Sequence, residues 1–406
     1  MKVIFIIQGE GRGHLTQALT LEKALRDCGH KVTEILVGRS RSREVPSFFL
    51  HRTQAPVYGF LSPNFLPSKA NQKVGLTRSI IYNIFKSPKY LSSIRYLHEH
   101  IQASGADLIV NFYEVLTGLT YFLFRPGIPE VCIGHQYMFL HPSYPFPKKH
   151  KVSQRLMLAF TRATCLGATR KLGLSFSKAA DYDKENLSVV PPLLRDEALK
   201  IQRGKGDYMT GYIINAGFSD SVMQWYAHHR DISLHFFWDK KDTDETTQID
   251  DTLTFHRIDD QKFLYYLANC KAYATTGGFE SVCEAMYMGK PAMMVPVHIE
   301  QECNAHEAML EGAGIKSDCF NMDQLIAFSQ QYTENTEFRT WENGGKMMIV
   351  ARLEAAVEQY NNTATNKGYG VAKLGRKLLV KRAFCTIFTS KITDKSNTLY
   401  NRCSSK

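Results

Sequence analysis

The chain has 406 residues, 44% of them hydrophobic and 22% charged, with a formal net charge of +11. That length leaves room for two or three domains with substantial cores. No apolar stretch approaches the ~20 residues of a membrane span, and the nine cysteines are scattered, which excludes a disulfide framework and points to a reducing cytosol.

In chain order, Val3 to Ile7 is a five-residue apolar strand, too short for the hydrophobic region of a secretory signal. It runs into Gln8-Gly9-Glu10-Gly11-Arg12-Gly13-His14, and a helix is expected from about Thr16 to Cys28, with Leu19, Leu21, Ala24 and Leu25 inward and Gly29 as its stop. Lys31 to Val37 is the next strand. This strand, glycine loop, helix, strand order opens a doubly wound α/β domain. The loop lacks the third glycine of G-x-G-x-x-G, and the second strand ends Val37-Gly38-Arg39-Ser40 with no acid for an adenosine ribose, which argues against a dinucleotide enzyme. Residues Leu76 to His100 mix apolar and basic side chains, as a helix does with one face in the core; a membrane or acceptor surface is the alternative. Phe139 to Lys149 adds aromatics, prolines and lysines in a loop. Ala106 to Val110 and Val131 to Ile133 read as strands, followed by Asn111-Phe112-Tyr113-Glu114 and by His135-Gln136.

Val189-Val190-Pro191-Pro192-Leu193-Leu194-Arg195 is extended chain, and with the charged stretch that follows it reads as a linker. The expected division is residues 1–190, a linker at 191–207, a second domain at 208–345, a returning helix at 346–362 and a basic tail at 363–406. Strands are expected near Tyr212 to Asn215, Leu234 to Trp238 and Leu253 to Ile258, with a helix opening at Asp259-Asp260. Asp242-Thr243-Asp244 has the form of a metal-binding DxD, but it sits in the polar run Asp239 to Asp251, which reads as a solvated loop; no metal is expected. Thr276-Gly277-Gly278 then ends an apolar strand and feeds a helix through Phe279, Glu280, Ser281 and Glu284. Such a helix start presents free N–H groups at the positive end of its dipole and suits an anion. Gly289-Lys290-Pro291 stops that helix. After a second strand, Ala292 to Pro296, come His298, Glu300, Gln301 and Asn304, read as an amide-rich ligand loop. A phosphate site, a carboxylate and amides within one short stretch suit a nucleotide-sugar.

From Lys367 to Lys406 there are ten Lys and Arg against Asp394 alone, a surplus of nine that leaves +2 for everything before it. Lys373 to Lys391 alternates this charge with Leu374, Leu378, Leu379, Val380, Phe384, Ile387 and Phe388, the pattern of a basic amphipathic segment suited to an anionic membrane surface; a solvated tail is the plain alternative. No stacking platform accompanies the charge, so nucleic acid is not expected as a partner.

The two glycine loops and the proline linker resemble those of two-domain, twin-Rossmann (GT-B) nucleotide-sugar glycosyltransferases, both the UDP-glycosyltransferases and the N-acetylglucosaminyltransferase family of peptidoglycan synthesis. The matching residues are Gly278, Ser281, Glu284, Gly289-Lys290-Pro291, Pro296, Glu300-Gln301 and Asn304-Ala305, with the GxGRGH-L form of the opening loop. The resemblance implies two doubly wound Rossmann-like domains facing each other across a cleft. It implies a UDP-sugar donor held by Gly11, Gly13, Thr276, Gly277, Gly278 and the amides of Phe279, Glu280 and Ser281. Glu284 would hold the ribose, Arg257 and Ile258 the uracil, and Glu300, Gln301 and Asn304 the sugar. Many UDP-glycosyltransferases carry histidine where this chain has Thr276, so a side-chain cation on the phosphate is missing or comes from elsewhere. His14 would be the general base of an inverting, metal-independent transfer, oriented by an acid after the 106–110 strand; Asn111 and Glu114 fill that place, and Glu114 is preferred because a carboxylate stabilises imidazolium. His135 and Gln136 are acceptor-side candidates, with a structural role as the favoured alternative, the acceptor being a glycan, lipid or small molecule. No cofactor beyond the donor is implied. The implied location is cytoplasmic, with the tail at the inner face of the membrane. A nucleotide-sugar 2-epimerase and a non-catalytic nucleotide-sugar-binding protein share the fold and are the rival readings.

Overall fold

The computed structural model describes residues 1–40, 44–63, 87–213, 216–240 and 243–366. The basic tail after residue 366, the first part of the 76–100 stripe and Asp242 of the DxD lie outside them. Residues Met1–Tyr360 form one compact unit, and Asn361–Lys406 a second.

The first unit holds two parallel sheets. One contains β1 (Lys2–Gln8), β2 (Lys31–Arg39), β3 (Val57–Leu61), β4 (Leu108–Phe112), β5 (Glu130–Gly134), β6 (Arg170–Leu174) and β7 (Leu187–Val190), in the order β3-β2-β1-β4-β5-β6-β7. The other contains β8 (Tyr208–Ile213), β9 (Ser233–Trp238), β10 (Thr246–Gln248), β11 (Leu253–Arg257), β12 (Ala272–Thr275), β13 (Ala292–Met294) and β14 (Gly314–Lys316), in the order β10-β11-β9-β8-β12-β13-β14. Every pairing is parallel except β10 with β11. The run Asp239 to Asp251, expected as loop, thus carries a short edge strand, because Thr246 to Gln248 find free ladder positions on β11.

Helices cross over between the strands: α1 (Arg12–Asp27), α2 (Ser47–Arg52), α3 (Ser87–Ala103), α4 (Val115–Phe124) and α5 (Lys151–Thr164) in the first half, α6 (Asp196–Lys200) in the linker, then α7 (Ser219–Tyr226), α8 (Asp260–Asn269), α9 (Phe279–Tyr287), α10 (Ile299–Leu310), α11 (Met322–Gln331), α12 (Thr336–Glu342) and α13 (Gly345–Asn366). Helices on both faces explain why the strands read as continuous apolar runs. Val3 to Ile7 are all fully buried, with Val3, Phe5 and Ile7 facing one cluster and Ile4 and Ile6 the other. The first cluster continues through Phe279, Val282 and Met286 of α9 and through Ile349, Val350 and Leu353 of α13, so the halves share core.

Two expected boundaries move. Helix α1 begins at Arg12, four residues earlier than expected, because Gly11 already has the extended backbone of an N-cap. His14 therefore stands inside the helix. The expected ligand loop after Pro296 is the helix α10, with His298 at its N-cap.

In parallel sheets the loops that bind ligands lie beyond the strand carboxyl ends, where the strand order reverses. Here these are the edges at β1/β4 and β8/β12. Gln8 pairs with Gly38 and Ile7 with Phe112, which brings the glycine loop and the Tyr113-Glu114 turn to one edge. That turn is braced from below. The buried Asn111 amide donates to Glu130 Oε1 (2.8 Å) and to the Thr164 carbonyl (2.9 Å), while its oxygen accepts from the Glu114 N–H (2.7 Å). Tyr113 is thereby held at φ 61°, a left-handed backbone that is strained for a non-glycine residue.

Burial raises the Glu130 carboxyl to about 8 from its ordinary 4.5, against the hydrogen bonds that favour ionisation. The folded protein then keeps this proton while the unfolded chain releases it near 4.5, so stability falls as pH rises between those values and levels off above. Glu130→Gln, which cannot ionise, should remove a loss of stability on the order of a few kcal/mol between about pH 5 and 8 and so flatten the fall of the thermal midpoint there. Parallel melting curves of the two proteins would check this; equal slopes would rule it out.

Candidate functional site

The two sheet edges point at each other, so the start of α1 meets the start of α9. Neither N-cap, Gly11 nor Gly278, makes a side-chain capping bond. The approach is close enough that a Cβ on Gly13 would lie 2.5 Å from Glu280 Oε2. Gly277 sits at φ +87°, which a side chain resists, and its turn aims the next amides along the α9 axis.

Five links join the halves here, and in each the carboxylate belongs to the second half. Arg12 pairs with Asp260 at 2.9 Å. Gln17 donates to Glu280. The Gln136 amide donates to Glu300 at 3.0 Å. Arg195, from the linker, grips Glu284 with two bonds of 2.6 and 3.1 Å. His135 Nε2 lies 3.2 Å from Glu307 Oε2, both nearly inaccessible. His135 also donates from Nδ1 to the Leu174 carbonyl at 2.7 Å and stacks on Phe279 at 4.0 Å. Burial works against its charge, yet Glu307 and the carbonyl raise its pKa overall. His135, for which a structural role is the favoured alternative to the acceptor side, is a buried contact between the halves.

His14 is 9% exposed, and its ring contacts Gln17, Gln136 and Tyr113. Its Nδ1 is 3.3 Å from Gln17 Oε1, its Nε2 is 3.5 Å from the Gln136 amide nitrogen, and its ring stacks on Tyr113 at 5.8 Å. Neither Glu114 nor Asn111, the two expected partners, is among them. Glu114 turns instead to Ser62 Oγ (2.6 Å) and the Leu116 N–H (3.0 Å), capping α4. Burial pushes its carboxyl up to about 7 in spite of those bonds. The free N–H groups of α4 claim the carboxylate, which is why it does not reach the imidazole. Glu280 is likewise raised by burial, with the nearby His14 opposing the rise.

On the second half, Gln301 Oε1 accepts from the Val297 N–H (3.0 Å) and Asn304 donates to the Gly277 carbonyl (3.3 Å). Both amides, expected to face a sugar, hold the glycine turn and the strand exit. Ser281 Oγ donates to the Gly278 carbonyl (3.2 Å), and Thr276 is fully buried. Arg257 and Ile258 line a pocket of about 310 Å³ together with Arg12, Trp238, Asp239 and Lys240. Lys240 lies over the Trp238 ring at 4.9 Å. The pocket thus joins the margin of a buried indole, an apolar edge and three cations, one of them from the first half. Among the described residues no three His, Cys, Asp or Glu side chains gather as a metal site.

Sequence reading missed Gln17, Arg195 and Asp260. Gln17 had a signal, since it lies three residues beyond His14 on a helix and so beside it. Arg195 and Asp260 had none, because their partners are distant in the chain. Glu284→Ala would leave the Arg195 guanidinium buried without its bidentate partner and should destabilise the fold by about 3–5 kcal/mol. The apolar pair Arg195→Met with Glu284→Leu should recover most of that in urea denaturation; equal losses in both variants would show that the pair is not the cause.

Residues 1–331 match the profile of glycosyl transferase family 1. No curated protein sequence matches the chain. Among solved structures it is similar to the glycotransferase of kitacinnamycin, at 16% identity and a TM-score of 0.59 over 88% of this chain and 99% of that one. It is similar to the calicheamicin glycosyltransferase CalG4, at 15% and 0.58 over 88% and 98%. It is also similar to Arabidopsis thaliana UGT89C1, solved with UDP-L-rhamnose, at 12% and 0.58 over 88% and 98%. At such identities the likeness is one of fold, the twin-Rossmann GT-B arrangement. The match over most of the chain goes further: this protein belongs to glycosyl transferase family 1 and is a glycosyltransferase.

Proposed function

We propose that the donor is a UDP-linked hexose or N-acetylhexosamine, and that the sugar passes to a hydroxyl acceptor with inversion and without a metal ion. The observation that carries this reading is the uncapped start of α9 set against the α1 loop that bears His14. The N–H groups at the start of α9 suit a diphosphate, whose charge grows as the sugar leaves; in this reading the donor displaces the Glu280 carboxylate, which now accepts from its own N–H. The pocket at Arg257 and Ile258 suits a pyrimidine, with Trp238 as its wall and Arg12 as the cation that Thr276 does not supply. Glu284 is the ribose carboxylate; in this reading it exchanges a bond with Arg195 for the hydroxyls, and the released guanidinium turns to the phosphate. Glu300, half-buried and bonded by the Gln136 amide, takes the sugar role in this reading, since the Gln301 and Asn304 amides already bond backbone.

His14 is the general base. As the acceptor oxygen bonds to the anomeric carbon, its proton passes to the imidazole and the bond to the diphosphate breaks with its electron pair on the leaving group. The nine-charge surplus after residue 366 supports an anionic membrane surface as the place where the acceptor is met.

The experiment is a donor panel on the full chain, following nucleoside diphosphate release in excess chelator, with and without anionic liposomes carrying membrane extract. Turnover of a uridine donor that needs the extract is expected. Loss of activity restored only by magnesium or manganese would overturn the metal-free reading, and conversion of UDP-N-acetylglucosamine alone to an epimer would overturn transfer.

His14→Ala should lower turnover by about 10²–10⁴-fold with little change in donor affinity. If the variant keeps its turnover and loses donor binding, His14 is a phosphate contact. A retained anomer in the product would remove the need for a base.

A further inference from the structure

A base whose ring nitrogens bond no carboxylate needs another device to fix which nitrogen carries the proton. The Gln17 amide is such a device, because its two ends have different partners. Its NH₂ group donates to Glu280 Oε1 on the second half. With the amide nitrogen turned to Glu280, the amide oxygen faces the ring. That oxygen, 3.3 Å from His14 Nδ1, calls for a proton on Nδ1. The lone pair of the neutral imidazole then lies on Nε2.

The surroundings agree. Nε2 is approached at 3.5 Å by the Gln136 amide nitrogen, a donor that is itself turned to Glu300. An N–H therefore stands where the O–H of an acceptor would come. Gln17 is 1% exposed, so no water competes for its amide. The ring's other neighbour is the Tyr113 face, and the charged groups around it are Glu280 through Gln17 and Glu300 through Gln136.

We propose that Gln17 is a positioning residue that sets the Nδ1–H tautomer of His14, and that it does so only while Glu280 of the second half holds its amide. Without that hold the amide turns freely and the imidazole samples both tautomers; with it, Nε2 is the acceptor of the hydroxyl proton. Through the transfer, Nδ1–H keeps its bond to Gln17 while Nε2 gains the proton. The amide orients the ring without adding a charge, unlike the carboxylate of a Ser-His-Asp triad. This inference rests on His14 as the base.

The test is nitrogen NMR on the full chain labelled with ¹⁵N-histidine, with His14 identified by its loss in His14→Gln. Wild type should show Nδ1 protonated and Nε2 free. Gln17→Met, close in shape but without the amide, should mix the tautomers and lower kcat by about ten- to a hundredfold, a part of the base's whole share, with donor KM within about twofold. Glu280→Ala, which leaves α1 intact, should mix the tautomers too, while Glu280→Gln, which keeps an acceptor oxygen, should preserve them. An unchanged His14 spectrum in both Gln17→Met and Glu280→Ala would overturn the proposal. Mixed tautomers with unchanged kcat would uphold the role of Gln17 and overturn His14 as the base.

Discussion

The site depends on one geometric constraint: two parallel sheets meet with their carboxyl edges facing. Parallel strands deliver every crossover helix with its N-terminus at that edge, so the start of α1 and the start of α9 are brought head to head. Two positive dipole ends repel, and neither has a side-chain cap. Glu280 lies between them, in the space that Gly13 leaves open. It neutralises what would otherwise be a bare electropositive gap.

The same logic extends along the interface. Asp260, Glu280, Glu284, Glu300 and Glu307 all belong to the second half, and they meet Arg12, Gln17, Arg195, Gln136 and His135 from the first half and linker. Buried pairs of this kind add little net stability, because desolvation offsets most of the attraction. What they fix is register. The shared apolar core of β1, α9 and α13 provides the cohesion, and the polar links determine which groups face each other. An anionic donor entering this row would compete with carboxylates for the arginines, so binding and domain alignment draw on the same groups.

Local strain serves the first edge. Glu130 and Asn111 hold Tyr113 in a left-handed backbone, which places its ring against His14. The cost of that backbone and of a buried carboxyl is met by the surrounding sheet, as expected where a fold commits to one geometry at a site.

The sequence by itself determined the elements and the edges. Continuous apolar runs such as Val3 to Ile7, punctuated by Gly9-x-Gly11-x-Gly13 and Gly277-Gly278, specify parallel strands feeding helices, since only strands buried on both faces read that way. From these came the doubly wound opening and the extended proline segment; that two such halves face each other across their loops came from the resemblance the loops carry. Local pattern also hid things. The early start of α1 was masked by glycine and arginine, and α10 by a polar stretch whose amides, Gln301 and Asn304, brace backbone. Tertiary structure alone decided the partners. Glu114 was a reasonable match for His14 by position, but the unpaired N–H groups of α4 lie closer and take it. Arg195 finds Glu284, and Gln17 finds Glu280, across chain separations of 89 and 263 residues. No periodicity carries such pairings, because they follow from how two finished sheets dock and not from what either strand or helix prefers.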